Sequence, residues 1–237
     1  MGNKRNIEGM ARFGITSNQV LGVSVTTLRK YARSIPKDHA LAQKLWNTGI
    51  LEARMLACFI DKPELVTKRQ MDAWARDFDN WAICDTCCLS LFDKTPHAFE
   101  KAHSWSKQKR EFVKRAGFAL MACLAWHDTR SPNERFREFF VPIRREATDE
   151  RNTVRKAVNW ALRQIGKRNE TMLRQAIAQA TMILTIDSPS ARWIASDALR
   201  ELSRLLKKEA STEVDAFQSA KPFGFCRKTS RPIYRMA

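Results

Sequence analysis

Glycine and proline are scarce, eight of each among 237 residues, which argues against collagen-like chains and many-turned all-β folds. No run of eighteen apolar residues occurs, so no membrane-spanning helix and no membrane partner is expected. The opening MGNKRNIEGMARFG lacks the apolar core of a secretory signal, which points to the cytoplasm. The four histidines, His39, His97, His103 and His127, are too scattered for a ligand cluster. Of the six cysteines, at 58, 84, 87, 88, 123 and 226, nearly all fall in helical segments, as reduced, buried thiols do. Cys84 and Cys87 form C-x-x-C, but no second pair or paired histidine follows, so no metal site is expected.

What is present is a chain long enough for one sizeable core, with an ordinary 44% hydrophobic fraction. Its charge is not ordinary. Forty-two Lys and Arg against 25 Asp and Glu leave +17. Successive fifty-residue blocks carry +6, −3, +4 and +6, and the remainder +4, so only 51–100 is acidic. Mixed signs along a basic chain fit a folded protein with a cationic face, and a polyanion such as nucleic acid is the expected partner.

Helical signals recur from about residue 24 to 208. Ser24 precedes one apolar-periodic run, Thr67 a second and either Asp79 or Asn80 a third, while Ser131-Pro132 opens NERFREFFVPIRREA and Ser188-Pro189 opens SARWIASDALRELSRLL. A weak internal similarity links RMLACFI from Arg54, KRAGFALMACL from Lys114, RKAVNWALRQI from Arg155 and RWIASDALREL from Arg192. The last two intervals are 41 and 37 residues; the first, 60, leaves space for a less similar helix pair around 68–92. Periods near 40 built from helix pairs predict an all-α HEAT- or armadillo-like solenoid, right-handed and curved, with a concave basic face. An irregular helical bundle is the alternative. We take 1–208 as one repeat domain and 209–237 as a loose basic tail.

Helical wheels pick out the candidate residues. On 153–167, Val154, Val158, Ala161 and Ile165 form the core face, while Trp160, Lys156, Arg163 and Lys167 lie roughly opposite. That Trp either packs on a neighbouring repeat or stands with its cations against sugar and phosphate. On 80–92, Ile83, Cys84, Cys87 and Leu91 face inward, and Trp81 and Asp85 pair outward at i, i+4. Asp85 either meets a cation of the next repeat or offers an anion to developing positive charge. On 111–127, Arg115 points away from the core side formed by Val113, Gly117, Leu120 and Leu124, where it either clamps a phosphate or holds Asp85, although Trp126 on the same stripe suggests a buried face. Trp193 and Asp197 make a rival i, i+4 pair, with Arg200 and Arg204 nearby; pattern does not rank the two.

From Phe13 to about Leu206 the chain resembles the bacterial DNA alkylation repair proteins of the AlkD-like superfamily, which have a HEAT-like repeat fold. The resemblance is carried by GVSVTTLRKYAR, GILEARMLACFID, WAICDTCCLSLFDKTP, EFVKRAGFALMA, KAVNWALRQIGKRN and SARWIASDALREL. It implies a monofunctional glycosylase that cleaves the N-glycosidic bond of cationic alkylated purines, such as N7-methylguanine and N3-methyladenine, in duplex DNA. The implied catalytic residues are Asp85, Trp81, Arg115 and Trp160, with Lys114, Arg155, Lys156, Arg163 and Lys167 on the DNA. The resemblance also implies no base flipping, hence no deep base pocket, and no metal or organic cofactor. The partner is then double-stranded DNA bearing alkylated bases, met by a monomer. A further aromatic of the family, near its N terminus, has no matched position. A DNA-binding scaffold of the same superfamily without excision, or a helical protein-interaction module, are the competing readings.

Overall fold

The computed structural model describes residues 2–15 and 19–219, with side chains through Lys208. Among these residues every regular element is helical. In chain order they are α1 (Lys4–Arg12), α2 (Val25–Arg33), α3 (His39–Asn47), α4 (Leu51–Ile60), α5 (Lys68–Arg76), α6 (Trp81–Ser90), α7 (Ala98–Trp105), α8 (Glu111–His127), α9 (Asn133–Arg137), α10 (Phe140–Arg145), α11 (Asn152–Gly166), α12 (Glu170–Leu184) and α13 (Pro189–Ser219).

The starts follow from capping chemistry. Ser24 Oγ accepts from Thr27 N, Thr67 Oγ1 from Gln70 N, and Asn80 Oδ1 from both Ala82 N and Ile83 N. Each satisfies an N–H that the helix itself leaves open, at about 1 kcal/mol per cap. Pro189 stands at the first position of α13, as its missing N–H allows. The stretch opened by Pro132 departs from the single helix expected there, because Pro142 has no N–H to give the carbonyl four residues back. It divides into α9 and α10, which puts Pro142 in a first turn instead. A second departure is α1, before the region of helical signals. It is polar, has no acidic residue in its first turn, and is capped by Asn3. At the other end α13 continues to Ser219, past the boundary drawn at 208; the remainder of the expected tail lies outside the described residues.

Helices pair as α3 with α4, α7 with α8, and α12 with α13, and α4, α6, α8, α11 and α13 pack successively side by side. The similar segments at Arg54, Lys114, Arg155 and Arg192 thus lie on α4, α8, α11 and α13, and the 60-residue gap holds α5 and α6. Side chains joining neighbours keep the period: Arg115 to Thr153, Asn159 to Asp197 and Arg163 to Glu201 each span 38 residues. This is a HEAT-like helical repeat. α8 is its centre, buried almost without interruption from Arg115 to Ala125. Gly117 makes that possible, since a Cβ there would fall 2.5 Å from Ser106 N at the end of α7.

Candidate functional site

Trp81 is the first residue of α6 and Asp85 lies one turn on, so both project from the side opposite buried Ile83, Cys84 and Cys87. A third turn brings Leu89. Together with α1, α2 and α4 this stripe encloses a pocket of about 650 Å³, lined by Met10, Phe13, Val23, Met55, Trp81 and Asp85 among others. The lining is mostly apolar, and Asp85 is its one carboxylate among the described residues. The resemblance implies no deep base pocket, and the space here is a broadly open groove rather than an enclosed cavity. α1 stands across this groove from α6 as an additional wall, and the space between them falls within the usual range for small-molecule sites.

That wall is fixed by polar groups. Buried Glu52 accepts hydrogen bonds from the backbone N–H groups of Leu21, Gly22 and Val23, and Asn6 Nδ2 donates to Gly22 O at 2.8 Å. Gly22 has φ +74°, and a Cβ there would meet Asn3 O at 2.4 Å. Trp81 Nε1 in turn donates to Phe13 O at 2.8 Å, tying the indole to the end of α1. Sequence reasoning found neither Glu52 nor Phe13 as part of this site. Gly22, between Leu21 and Val23 and just ahead of the Ser24 cap, is the available signal for the turn, but nothing local links it to Glu52.

Asp85 is gripped from below. Arg115 Nε donates to Oδ1 at 2.9 Å and Nη2 to Oδ2 at 2.6 Å, and Nη1 donates to Thr153 O at 2.5 Å. The Asp85 side chain keeps 23% exposure and Arg115 only 9%. Burial lifts the Asp85 carboxyl above its ordinary value, and the attraction and hydrogen bonds of Arg115 offset only part of the rise. Arg115 therefore does not point away from the core as its wheel position implied. It is buried where α6, α8 and α11 meet, with donors on all three guanidinium nitrogens engaged, so it can hold the carboxylate but not reach a phosphate.

Trp160 stands apart. It is half-buried against the core on α11 and does not line the Asp85 pocket. The five candidate DNA cations divide. Lys114 contacts Glu146 and lies 3.2 Å from Asp149; Arg163 and Lys167 both pair with Glu201. Arg155 caps the Trp193 ring at 4.7 Å and bonds Asn152. Lys156 is exposed and has no partner among the described residues. The rival Asp197 is held by Asn159 Nδ2 at 2.7 Å, by Arg200 and by Arg163 at 3.6 Å. Cys58, Cys84, Cys87, Cys88 and Cys123 are buried free thiols, and burial raises Cys87, Cys88 and Cys123, so these three resist ionisation. Cys226 lies outside the described residues.

A family model described as DNA alkylation repair enzyme matches residues 1–214. The chain belongs to that family. Among solved structures, this family member is similar to one described as "a new family of proteins related to the HEAT-like repeat DNA glycosylases with affinity for branched DNA structures". The TM-score is 0.69 at 17% identity, over 86% of this chain and 89% of the other, a likeness of fold. No curated protein sequence matches. Among the described residues of this DNA alkylation repair protein, no helix is long and apolar enough to cross a membrane.

Proposed function

We propose that the protein releases cationic alkylated purines from DNA by hydrolysing the N-glycosidic bond, with Asp85 as the charge-bearing group. The observation that carries this is a carboxylate opening into a pocket beside an indole while a buried arginine fixes both its oxygens from the other side. A bidentate arginine takes one acceptor position on each oxygen, and each oxygen has a second. Those remaining positions suit a sugar and a water.

Alkylation of N7 in guanine or N3 in adenine makes the base a cation and hence a good leaving group. When the bond from C1′ to the ring nitrogen breaks, its electron pair goes to the base, which leaves neutral, and positive charge appears on the sugar. A fixed carboxylate attracts that charge more strongly in the transition state than in the ground state. Water then adds to C1′ and gives up its proton through Asp85 to solvent. Trp81 offers its ring to the sugar, and Arg115 acts as a positioning residue.

A second reading is binding of DNA without excision. It is favoured by the closeness of the Asp85–Arg115 pair and by the branched-DNA affinity ascribed to the structural relative. Incubating the wild-type protein with duplex DNA methylated at guanine N7 and adenine N3 separates the two. Excision predicts free methylated bases and an equal yield of abasic sites. Tight binding with no base released would establish the second reading.

A further inference from the structure

A second pocket, of about 560 Å³, continues the α6 stripe beyond Asp85, and Leu89 lines both. It opens where α2, α4, α6 and α8 end. Its walls include Arg29, Arg33, Lys37 and Lys94, with the rings of Phe59 and Trp126, and no carboxylate lines it among the described residues. Trp126 is 58% exposed, the most open tryptophan described. The stripe of α8 that carries it is buried, as the sequence suggested, but the helix end runs clear of its neighbours.

The cations are only partly engaged. Lys37 donates to Phe59 O and Lys94 to Ser90 O, each satisfying a carbonyl at a helix end, and Lys94 also lies 4.0 Å from buried Asp93. Arg29 lies 5.5 Å from the Phe59 ring, and Arg33 is exposed with no partner among the described residues. Burial lowers the Lys37 pKa and repulsion from Lys94 lowers it further, against the pull of Asp61 and Glu64. Like charges crowded in this way are relieved by an anion. Trp126 also borders a smaller pocket of about 290 Å³ lined by Lys167 and Arg168, but those two are taken up by Glu201 and by backbone carbonyls, so the open cations lie on the Arg29 and Arg33 side.

We infer that this pocket is a subsite for an unpaired nucleotide of DNA, its base stacked on Trp126 and its phosphates met by Arg29 and Arg33. An aromatic platform with flanking cations is the arrangement that binds single strands irrespective of sequence, because every base has a flat face and every linkage a charge. Blunt duplex offers no free base. A flap or branch does, and the subsite then orders that strand beside the α6 carboxylate. The inference rests on DNA being the partner, but not on excision.

Undamaged DNA therefore tests it without reference to base release. The probes are a blunt duplex and the same duplex carrying a short oligothymidine flap, titrated with the full-length protein. Wild type is expected to prefer the flap, and Trp126→Ala to weaken flap binding at least about fivefold, the low end for loss of one stacked base, with little change on blunt duplex. Replacing Arg29 and Arg33 together by Ala should flatten the slope of log affinity against log salt on the flap by about 1.4, two phosphates' worth for a single strand. All three side chains are exposed, so melting temperatures should be unchanged. Equal affinity of wild type for both probes, or a flap preference that survives both variants, overturns the subsite. If Asp85→Asn retains the flap preference, the subsite stands whether or not excision does.

Discussion

The chain carries the same short pattern twice, Trp81 with Asp85 on α6 and Trp193 with Asp197 on α13, and folds the two into opposite environments. Asp85 has one partner, a buried arginine, and opens on an apolar pocket. Asp197 is encircled by Asn159, Arg163 and Arg200, and Arg155 covers its tryptophan. Their acidities diverge accordingly. Burial lifts Asp85 upward, whereas the Asn159 hydrogen bond, with the nearby Arg163 and Arg200, holds Asp197 below its ordinary value. A carboxylate with spare acceptor positions facing an apolar groove is available for chemistry; one already shared among an amide and two arginines is structural.

The largest difference should appear in base release. Asp85→Asn is expected to slow it by about a hundredfold or more, the scale for losing a fixed charge at a reacting centre, and Asp197→Asn by less than about threefold. Single-turnover assays on methylated duplex compare them. Next comes stability. Arg115→Ala leaves a shielded carboxylate and Thr153 O without their partner, at about 3 kcal/mol. Arg163→Ala should cost nearer 1 kcal/mol, because Asn159 and Arg200 still hold Asp197. Denaturant titration measures both.

A smaller contrast concerns packing. The methyl group of Gly117→Ala meets backbone at Ser106, whereas that of Gly166→Ala meets the side chains of Ala176 and Leu202 at 2.9 Å. Leu202 can turn aside in part but the Cβ of Ala176 moves only with its backbone, so Gly117→Ala should destabilise by about 3 kcal/mol and Gly166→Ala by about 1–2 kcal/mol. The smallest effect expected is on DNA binding. Lys156→Ala should reduce the salt slope on duplex by about 0.9, whereas Lys114→Ala should leave it unchanged, since Lys114 already faces Glu146 and Asp149. Binding isotherms at several salt concentrations distinguish them.

Much of this arrangement is legible in sequence because it depends on helical phase. The inward faces of α6 and α11 emerge from 100° wheels, and so does the outward position of Trp81 and Asp85. Caps at Ser24, Thr67 and Asn80 are equally local. Legibility ends where partners come from distant segments. Around Arg115 the sequence offers both an outward wheel position and, in Trp126 on the same stripe, a sign of burial; only the meeting of α6, α8 and α11 shows which holds. Glu201 lies 38 residues from Arg163, and only the stacked repeats reveal that it neutralises a cation proposed for DNA. α1 escapes notice because it is short and polar, and tertiary contacts rather than propensity hold it in place.

The pH dependence of single-turnover base release identifies the working carboxylate most directly. If Asp85 must be ionised, the rate falls as pH drops through its raised pKa, so the acid limb is shifted upward from the value of an ordinary aspartate. Stability due to Asp197 is lost only lower, as pH falls through its depressed pKa, so the limb appears while α11 and α13 remain docked. The account predicts such a limb in wild type and unshifted in Asp197→Asn, and its disappearance from the residual rate of Asp85→Asn. No base release at any pH, or an acid limb that persists in Asp85→Asn and moves in Asp197→Asn, would contradict it.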